Sequence, residues 1–314
     1  MRDSAIAASG LRKAYGDKTV LDGIDLDVRA GTVFSLLGPN GAGKTTTVNV
    51  LTTLMKADGG TACVAGHDVA TQAKAVRAAI GVTGQFAAVD DLLTGQENLQ
   101  LMADLHHLRA DEGKRVVTSL LERFDLAESA QKMAATYSGG MRRKLDLAMT
   151  LVTRPQIIFL DEPTAGLDPR SRRTMWTIVR ELVADGVTVF LTTQYLEEAD
   201  QLADRIAVLD RGRLVAQGTP GELKRQVPGS HVRLRFSDVV VLDAAARALN
   251  GSARDDEDLT LRVPSDGKPK SLRALLDQLD EHSIEVEEFS AHTPDLDDVF
   301  LALTSHASTE AIAQ

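Results

Sequence analysis

The run Gly38, Pro39, Asn40, Gly41, Ala42, Gly43, Lys44, Thr45 and Thr46 spells glycine, four residues, then Gly-Lys-Thr, directly after the apolar stretch Val33 to Leu37. Glycines let backbone N–H groups curl around a phosphate. In that spacing Lys44 reaches the β and γ phosphates of a nucleotide, and the Thr45 hydroxyl ligates Mg²⁺. A helix from Thr46 onward would add its positive dipole end. A plain glycine turn between strand and helix accounts for the glycines but not for the lysine and threonine. A second apolar run, Ile157 to Leu160, ends in Asp161 and Glu162. That puts two carboxylates at the carboxyl edge of a sheet, where open α/β folds bind phosphates. Asp161 suits Mg²⁺ held through its water shell, and Glu162 can polarise a water attacking the γ phosphorus in line. These features alone admit helicases, kinases and GTPases as readily as ATPases.

The elements that position these groups follow from periodicity. Val33 to Leu37, Ile157 to Leu160 and Val187 to Leu191 are short, apolar and rich in β-branched or aromatic residues, as expected of strands covered on both faces. Residues 1–227 therefore predict an α/β domain with a largely parallel sheet and a helical subdomain inserted at about 87–152. There Thr94 and Glu97 form a capping box, and Leu145, Ala148, Met149 and Val152 recur at helical spacing. Arg205 to Gly218 reads as a hairpin closing the domain. Val227, Pro228, Gly229 and Ser230 read as a linker to a small α+β domain, 228–304, in the order strand, helix, strand, helix, strand. Its helices carry apolar stripes at Leu242, Ala245, Ala246 and Leu249, and at Leu272, Leu275, Leu276 and Leu279. Thr293 and Pro294 are set to open a last helix bearing Leu296, Val299, Phe300 and Leu303, and 305–314 reads as a disordered tail.

The bulk numbers narrow the function. With 43% hydrophobic and 25% charged residues the chain has an ordinary globular composition. No run approaches the roughly 18 to 20 apolar residues of a membrane helix. The start, MRDSAIAASG, lacks a signal core and a transit pattern, and the single cysteine, Cys63, has no disulfide partner; both predict a cytoplasmic protein. With 45 acidic against 35 basic residues the net charge is -10, the wrong sign for gripping nucleic acid or anionic lipid. Membrane attachment is then expected through a protein partner.

Tyr137 to Met141, YSGGM, separates the P-loop alternatives. It resembles the signature of ABC ATPases, which usually begins Leu-Ser-Gly-Gly-Gln; Tyr137 and Met141 depart from that form, while Ser138, Gly139 and Gly140 keep it. A hydroxyl and bare amides at a helix N-terminus make an anion site. The resemblance covers residues 5 to about 225. It implies a head-to-tail dimer in which one copy's signature closes over ATP on the other. It further implies that Tyr15 stacks on adenine, that Gln85 links Mg²⁺ and the attacking water to the helical subdomain, and that Asp168, in Ala165-Gly166-Leu167-Asp168, reaches across the interface. Where the family has a histidine sensing the γ phosphate, this chain has Gln194, which can donate an amide N–H but cannot become cationic. Either turnover is slowed to ATP binding alone, or Glu162 bears most of the catalysis. The second is favoured because Lys44, Asp161 and Glu162 all remain.

YSGGMRRKLDLA, DEPTAGLDPRSR, LTTQYLEEADQLADRI and PDLDDVFLALT together resemble the daunorubicin/doxorubicin resistance branch of bacterial drug exporters. The branch implies a separate multi-helix membrane permease, a chain peripheral on the inner membrane face, and export of hydrophobic drugs, antibiotics or lipids. It also implies a C-terminal domain that steadies or regulates the dimer. Ribosome-acting relatives would usually carry two cassettes, and DNA-acting ones a long coiled coil; this sequence has neither. A purely regulatory ATP-binding protein is the remaining alternative, separated from a motor by turnover with the permease.

Overall fold

The runs around Phe34, Phe159 and Phe190 are too apolar to face water on either side, and each becomes a strand of one sheet. The computed structural model describes residues 4–85, 87–225, 231–249, 252–266, 268–292 and 294–300. They fall into two compact units, Met1–Pro220 and Gly221–Gln314. In chain order the first begins β1 (Ser4–Tyr15), β2 (Lys18–Arg29), β3 (Val33–Leu37), α1 (Lys44–Leu51), β4 (Gly59–Val64), β5 (His67–Asp68), α2 (Ala73–Ala79) and β6 (Ile80–Thr83). It continues α3 (Gly95–Leu105), α4 (Ala110–Arg123), α5 (Gly139–Thr150), β7 (Ile157–Asp161), α6 (Pro169–Ala184), β8 (Thr188–Thr193), α7 (Leu196–Leu202), β9 (Arg205–Asp210) and β10 (Arg213–Gly218).

The central sheet has the order β10-β9-β3-β8-β7-β6 and is parallel except for the β9–β10 hairpin. Alternate residues serve opposite faces. Phe34, Phe159 and Phe190 lie side by side on one face, with ring centroids 5.5 Å apart for Phe34–Phe190 and 5.4 Å for Phe159–Phe190. They share a core with Leu11, Leu26, Val48 and Val64 from β1, β2, α1 and β4. Ile158, Leu160, Val189 and Leu191 fill the other face, in a core that runs without interruption into Leu99, Val117, Leu145, Ala148, Met149, Val152, Trp176 and Val179. The helices between β6 and β7 are thus an insertion in sequence whose core merges with that of the sheet.

A second, antiparallel sheet, β2-β1-β4-β5, was not anticipated from the sequence. Its pattern is blurred because the β1–β2 register shifts at several points, one of them between Ala8 and Leu11, where Gly10 takes φ +60°. Each shift flips the inward-facing set and erases strict alternation. The Thr94–Glu97 capping box forms in full. α1 begins at Lys44, two residues before the expected Thr46, because Gly43 at φ 113° takes the cap position.

The division between units falls at Pro220–Gly221, within α8 (Pro220–Lys224). The linker expected at Val227, Pro228, Gly229 and Ser230 lies outside the described residues, as do Thr293, Leu303 and the tail. The second unit contains β11 (His231–Arg235), α9 (Val239–Ala248), β12 (Ala253–Asp255), β13 (Thr260–Pro264), α10 (Pro269–Glu281) and β14 (Glu288–His292). It has one strand more than expected, since β12 is only three residues long in the polar stretch ARDDED and gives no apolar alternation. The antiparallel order β12-β13-β11-β14 is the split β-α-β arrangement of ferredoxin-like folds. Its core takes Leu242, Ala245, Leu249, Leu275 and Leu279 from the two predicted stripes, while Leu276 is exposed. Residues 296–300 are helical, and the opening turn is held by Asp295 and Asp298, each accepting the other's backbone N–H. Asp295 takes the capping place expected for Thr293.

Candidate functional site

The sheet order gathers segments that are remote in sequence. β3, β8, β7 and β6 are adjacent and parallel, so their carboxyl ends share one edge. Gly38 to Thr46 leave β3, Gln194 follows β8, Asp161 ends β7 with Glu162 next, and Gln85 stands two residues beyond β6. Tyr15, at the end of β1, is exposed, and its hydroxyl donates to Met55 Sδ at 2.9 Å.

The glycine loop is held too tightly for side chains at two positions. A Cβ on Gly38 would lie 2.3 Å from the Leu209 carbonyl oxygen, and one on Gly43, at φ +113°, 2.8 Å from Leu21 Cδ2. Ala42 is buried, Pro39 and Thr46 are half-buried, and Asn40, Gly41 and Thr45 are exposed at the mouth. Lys44 lies back along the loop: Nζ donates to the carbonyls of Gly38 at 2.8 Å and Pro39 at 3.1 Å, and sits 3.2 Å from Glu162 Oε1. Both side chains of that ion pair are less than a tenth exposed. A glycine-shaped loop at a helix N-terminus with an ammonium beside it is what a polyphosphate requires, so the loop fits one.

Thr192, in β8, organises the carboxylates. Its hydroxyl donates to Asp161 Oδ1 at 2.5 Å, and the Glu162 N–H donates to the Thr192 carbonyl and hydroxyl oxygens, both at 3.1 Å. Glu162 itself stands at φ +50°, a left-handed conformation that costs a non-glycine residue on the order of 1–3 kcal/mol. Among the described residues no cluster of three His, Cys, Asp or Glu side chains could hold a metal alone. Thr45, Gln85 and Asp161 are oxygen donors of the hard type that Mg²⁺ takes beside phosphate and water.

Ser138, Gly139 and Gly140 open α5. The Ser138 hydroxyl accepts from Met141 N–H at 3.3 Å, and a Cβ on Gly140 would come within 2.6 Å of Ser171 Oγ. Among the described residues no hydrogen bond or ion pair joins this signature to Gly38–Thr46. Tyr137 has a local use that explains its place beside the signature: it is buried, and its hydroxyl donates to the Ser129 carbonyl at 2.7 Å over Gly95. Asp168 caps α6, accepting from Arg170 and Ser171 N–H and from the Ser171 hydroxyl at 2.6 Å, which hold its carboxyl below the usual range, the hydroxyl most. Sequence reasoning missed Thr192, Arg143, Asp146 and Asn98. Asn98, wholly buried in α3, bonds the backbone of Asp90 in the segment after Gln85. Its only sequence signal is an amide among the apolar positions of a helix.

A parallel sheet with a phosphate loop after one strand and Asp-Glu after another defines the P-loop nucleotide-binding class. Residues 21–165 match the family described as ABC transporter, and residues 218–304 match the C-terminal domain of DrrA1-3-like ATP-binding proteins. The chain is 50% identical over 306 residues to the daunorubicin resistance ATP-binding protein DrrA3 of Streptomyces coeruleorubidus, covering 97% of each. It is 48% identical over 319 residues to the daunorubicin/doxorubicin resistance ATP-binding protein DrrA of Streptomyces peucetius, covering 99% of this chain and 96% of that one. A solved ATP-binding subunit of an ABC transporter gives a TM-score of 0.64 at 28% identity, covering 71% of this chain and 93% of the other. The chain belongs to the ABC transporter ATP-binding proteins of the daunorubicin/doxorubicin resistance type. It is accordingly an ATP-binding subunit and an ABC transporter ATPase.

Proposed function

We propose that this subunit hydrolyses ATP with Glu162 as the base that orients water, and drives export of a hydrophobic drug or antibiotic through a separate membrane permease. The observation that carries the reading is the Lys44–Glu162 contact of 3.2 Å at the shared sheet edge. One ammonium serves both the phosphate loop and the carboxylate, so a phosphate entering the loop competes with Glu162 for Lys44 and leaves that carboxylate open to a water. Mg²⁺, held by Thr45, Gln85 and Asp161, would neutralise charge on the phosphate oxygens. Gln194 donates one neutral hydrogen bond there, and Tyr15 offers its exposed ring to the adenine.

Ser138, Gly139 and Gly140 offer a second anion site that, among the described residues, no hydrogen bond or ion pair joins to the chain's own phosphate loop, which supports a head-to-tail dimer sharing two ATP molecules, with Asp168 at the interface. Among the described residues no helix is long and apolar enough to cross a membrane, and Leu92, Leu101 and Leu105 expose apolar side chains around α3. The exposed leucines support a protein partner, and a permanent place in the membrane then falls to that partner. The drug class comes from the names of the relatives. Light scattering tests the dimer: with ATP, Glu162→Gln is expected to run at twice the monomer mass, whereas Lys44→Ala and Ser138→Arg stay monomeric. A Ser138→Arg chain that still dimerises on ATP removes the signature from the reading.

A further inference from the structure

α5 carries two opposite charges on its buried side, Arg143 at 7% exposure and Asp146 at 3%, paired at 3.2 Å. A buried ion pair of this kind contributes little stability over apolar residues of the same size, so its partners matter more than its mere presence. The guanidinium reaches into both loops of the sheet edge. Nε donates to the Pro163 carbonyl at 2.9 Å and Nη2 to the Asp161 carbonyl at 3.2 Å, the two residues that flank Glu162. Nη1 donates to the Gly84 carbonyl at 2.8 Å, just before Gln85. Asp146 uses its second oxygen to accept the Ala88 N–H at 3.0 Å, on the far side of Gln85. Burial pulls the Arg143 guanidinium down and pushes the Asp146 carboxyl up, each opposed by the other's charge, and Asp161 and Glu198 add further negative charge facing the arginine.

We infer that Arg143, oriented by Asp146, is a positioning residue that holds the strained Glu162 turn and the Gln85 loop in register with the signature helix. The inference rests on the role proposed for Glu162. Three carbonyls on two separate loops are satisfied by one planar fork, so any movement of α5, which Ser138 caps, is transmitted to both residues at once. A lysine there keeps the charge but can reach neither loop with fixed geometry. The pair is therefore a rigid link between closure of the signature and assembly of the catalytic carboxylate.

The test compares the full chain with Arg143→Lys, Asp146→Asn and Glu162→Gln in steady-state ATP hydrolysis and in hydrogen exchange. Positioning predicts that Arg143→Lys lowers kcat by about tenfold to a hundredfold while KM for ATP stays within about twofold. It also predicts faster exchange confined to residues 84–88 and 161–165, with α1 and α4 unchanged. If the pair merely balances charge in the core, Arg143→Lys restores wild-type kcat and exchange, and the inference is overturned. If Glu162→Gln hydrolyses ATP at the parent rate, the role of Glu162 fails first, and the exchange data alone then decide whether Arg143 holds the two loops. Exchange that rises throughout α3, α4 and α5 also overturns the inference, since it marks a general loss of packing.

Discussion

Lys44 makes three short contacts and all are to oxygen, two carbonyls and the Glu162 carboxylate. An ammonium has three N–H donors, so any ligand oxygen entering the loop must displace one of these partners, and the carboxylate is the one not tied into the loop backbone. Thr192 holds the other side of the pair through its hydroxyl. Thr192→Val removes the bond to Asp161 and one of the two acceptors for the Glu162 N–H while keeping the shape. The expected result is a roughly tenfold fall in kcat, about 1.4 kcal/mol of transition-state stabilisation, with ATP affinity little changed; unchanged kcat in the same assay rules out this role. Lys44, Asp161 and Glu162 were legible in the sequence because a phosphate loop is a contiguous string and a strand end is a local event. Thr192 and Arg143 were not: the threonine bonds a residue 31 positions away, and the arginine's carbonyls lie 18, 20 and 59 positions away. Only the sheet order brings them together.

At the scale of elements, the start of α3 was readable because its cap is written within four residues. The Thr94–Glu97 box is complete, and Thr94→Ala is expected to cost about 1 kcal/mol, measured as a shift in the denaturation midpoint with the slope unchanged. The twelve-residue strands β1 and β2 were hidden by their register shifts, and β12 by its length. α7 packs on α6 through a buried carboxyl, Glu198, whose Oε1 accepts from Trp176 Nε1 at 3.3 Å. Burial is the main cause and pushes this carboxyl above its ordinary range, against Thr193, Thr164, Trp176 and Arg172, which favour the charged form. A raised carboxyl binds its proton more tightly folded than unfolded, so its contribution is full below the ordinary carboxylate value and falls as pH rises towards the folded one. Glu198→Gln should therefore gain thermal stability relative to the parent as pH is raised from 4.5 to 7.5. A Tm difference that does not vary across that range contradicts the assignment.

In the whole molecule the two units are built on different principles. Met1–Pro220 is a layered α/β unit whose parallel strands deliver chemistry to one edge, and Gly221–Gln314 is an antiparallel sheet with α9 and α10 sharing its own core. The α/β class was readable because β3, β7 and β8 are buried on both faces and so are continuously apolar. The ferredoxin-like order of the second unit was not, since strand order depends on which edges pair and a five-residue strand carries no record of its neighbour. The ATPase class is given by family membership; that Glu162 is the catalytic base is the central claim. It is tested most directly by single-turnover phosphate release from ATP in the full chain, comparing the parent with Glu162→Gln at saturating ATP and Mg²⁺. The account predicts that the variant binds ATP as the parent does and releases phosphate at least about a hundredfold more slowly, since the water loses its base. Phosphate release at the parent's rate from nucleotide-loaded Glu162→Gln would contradict it.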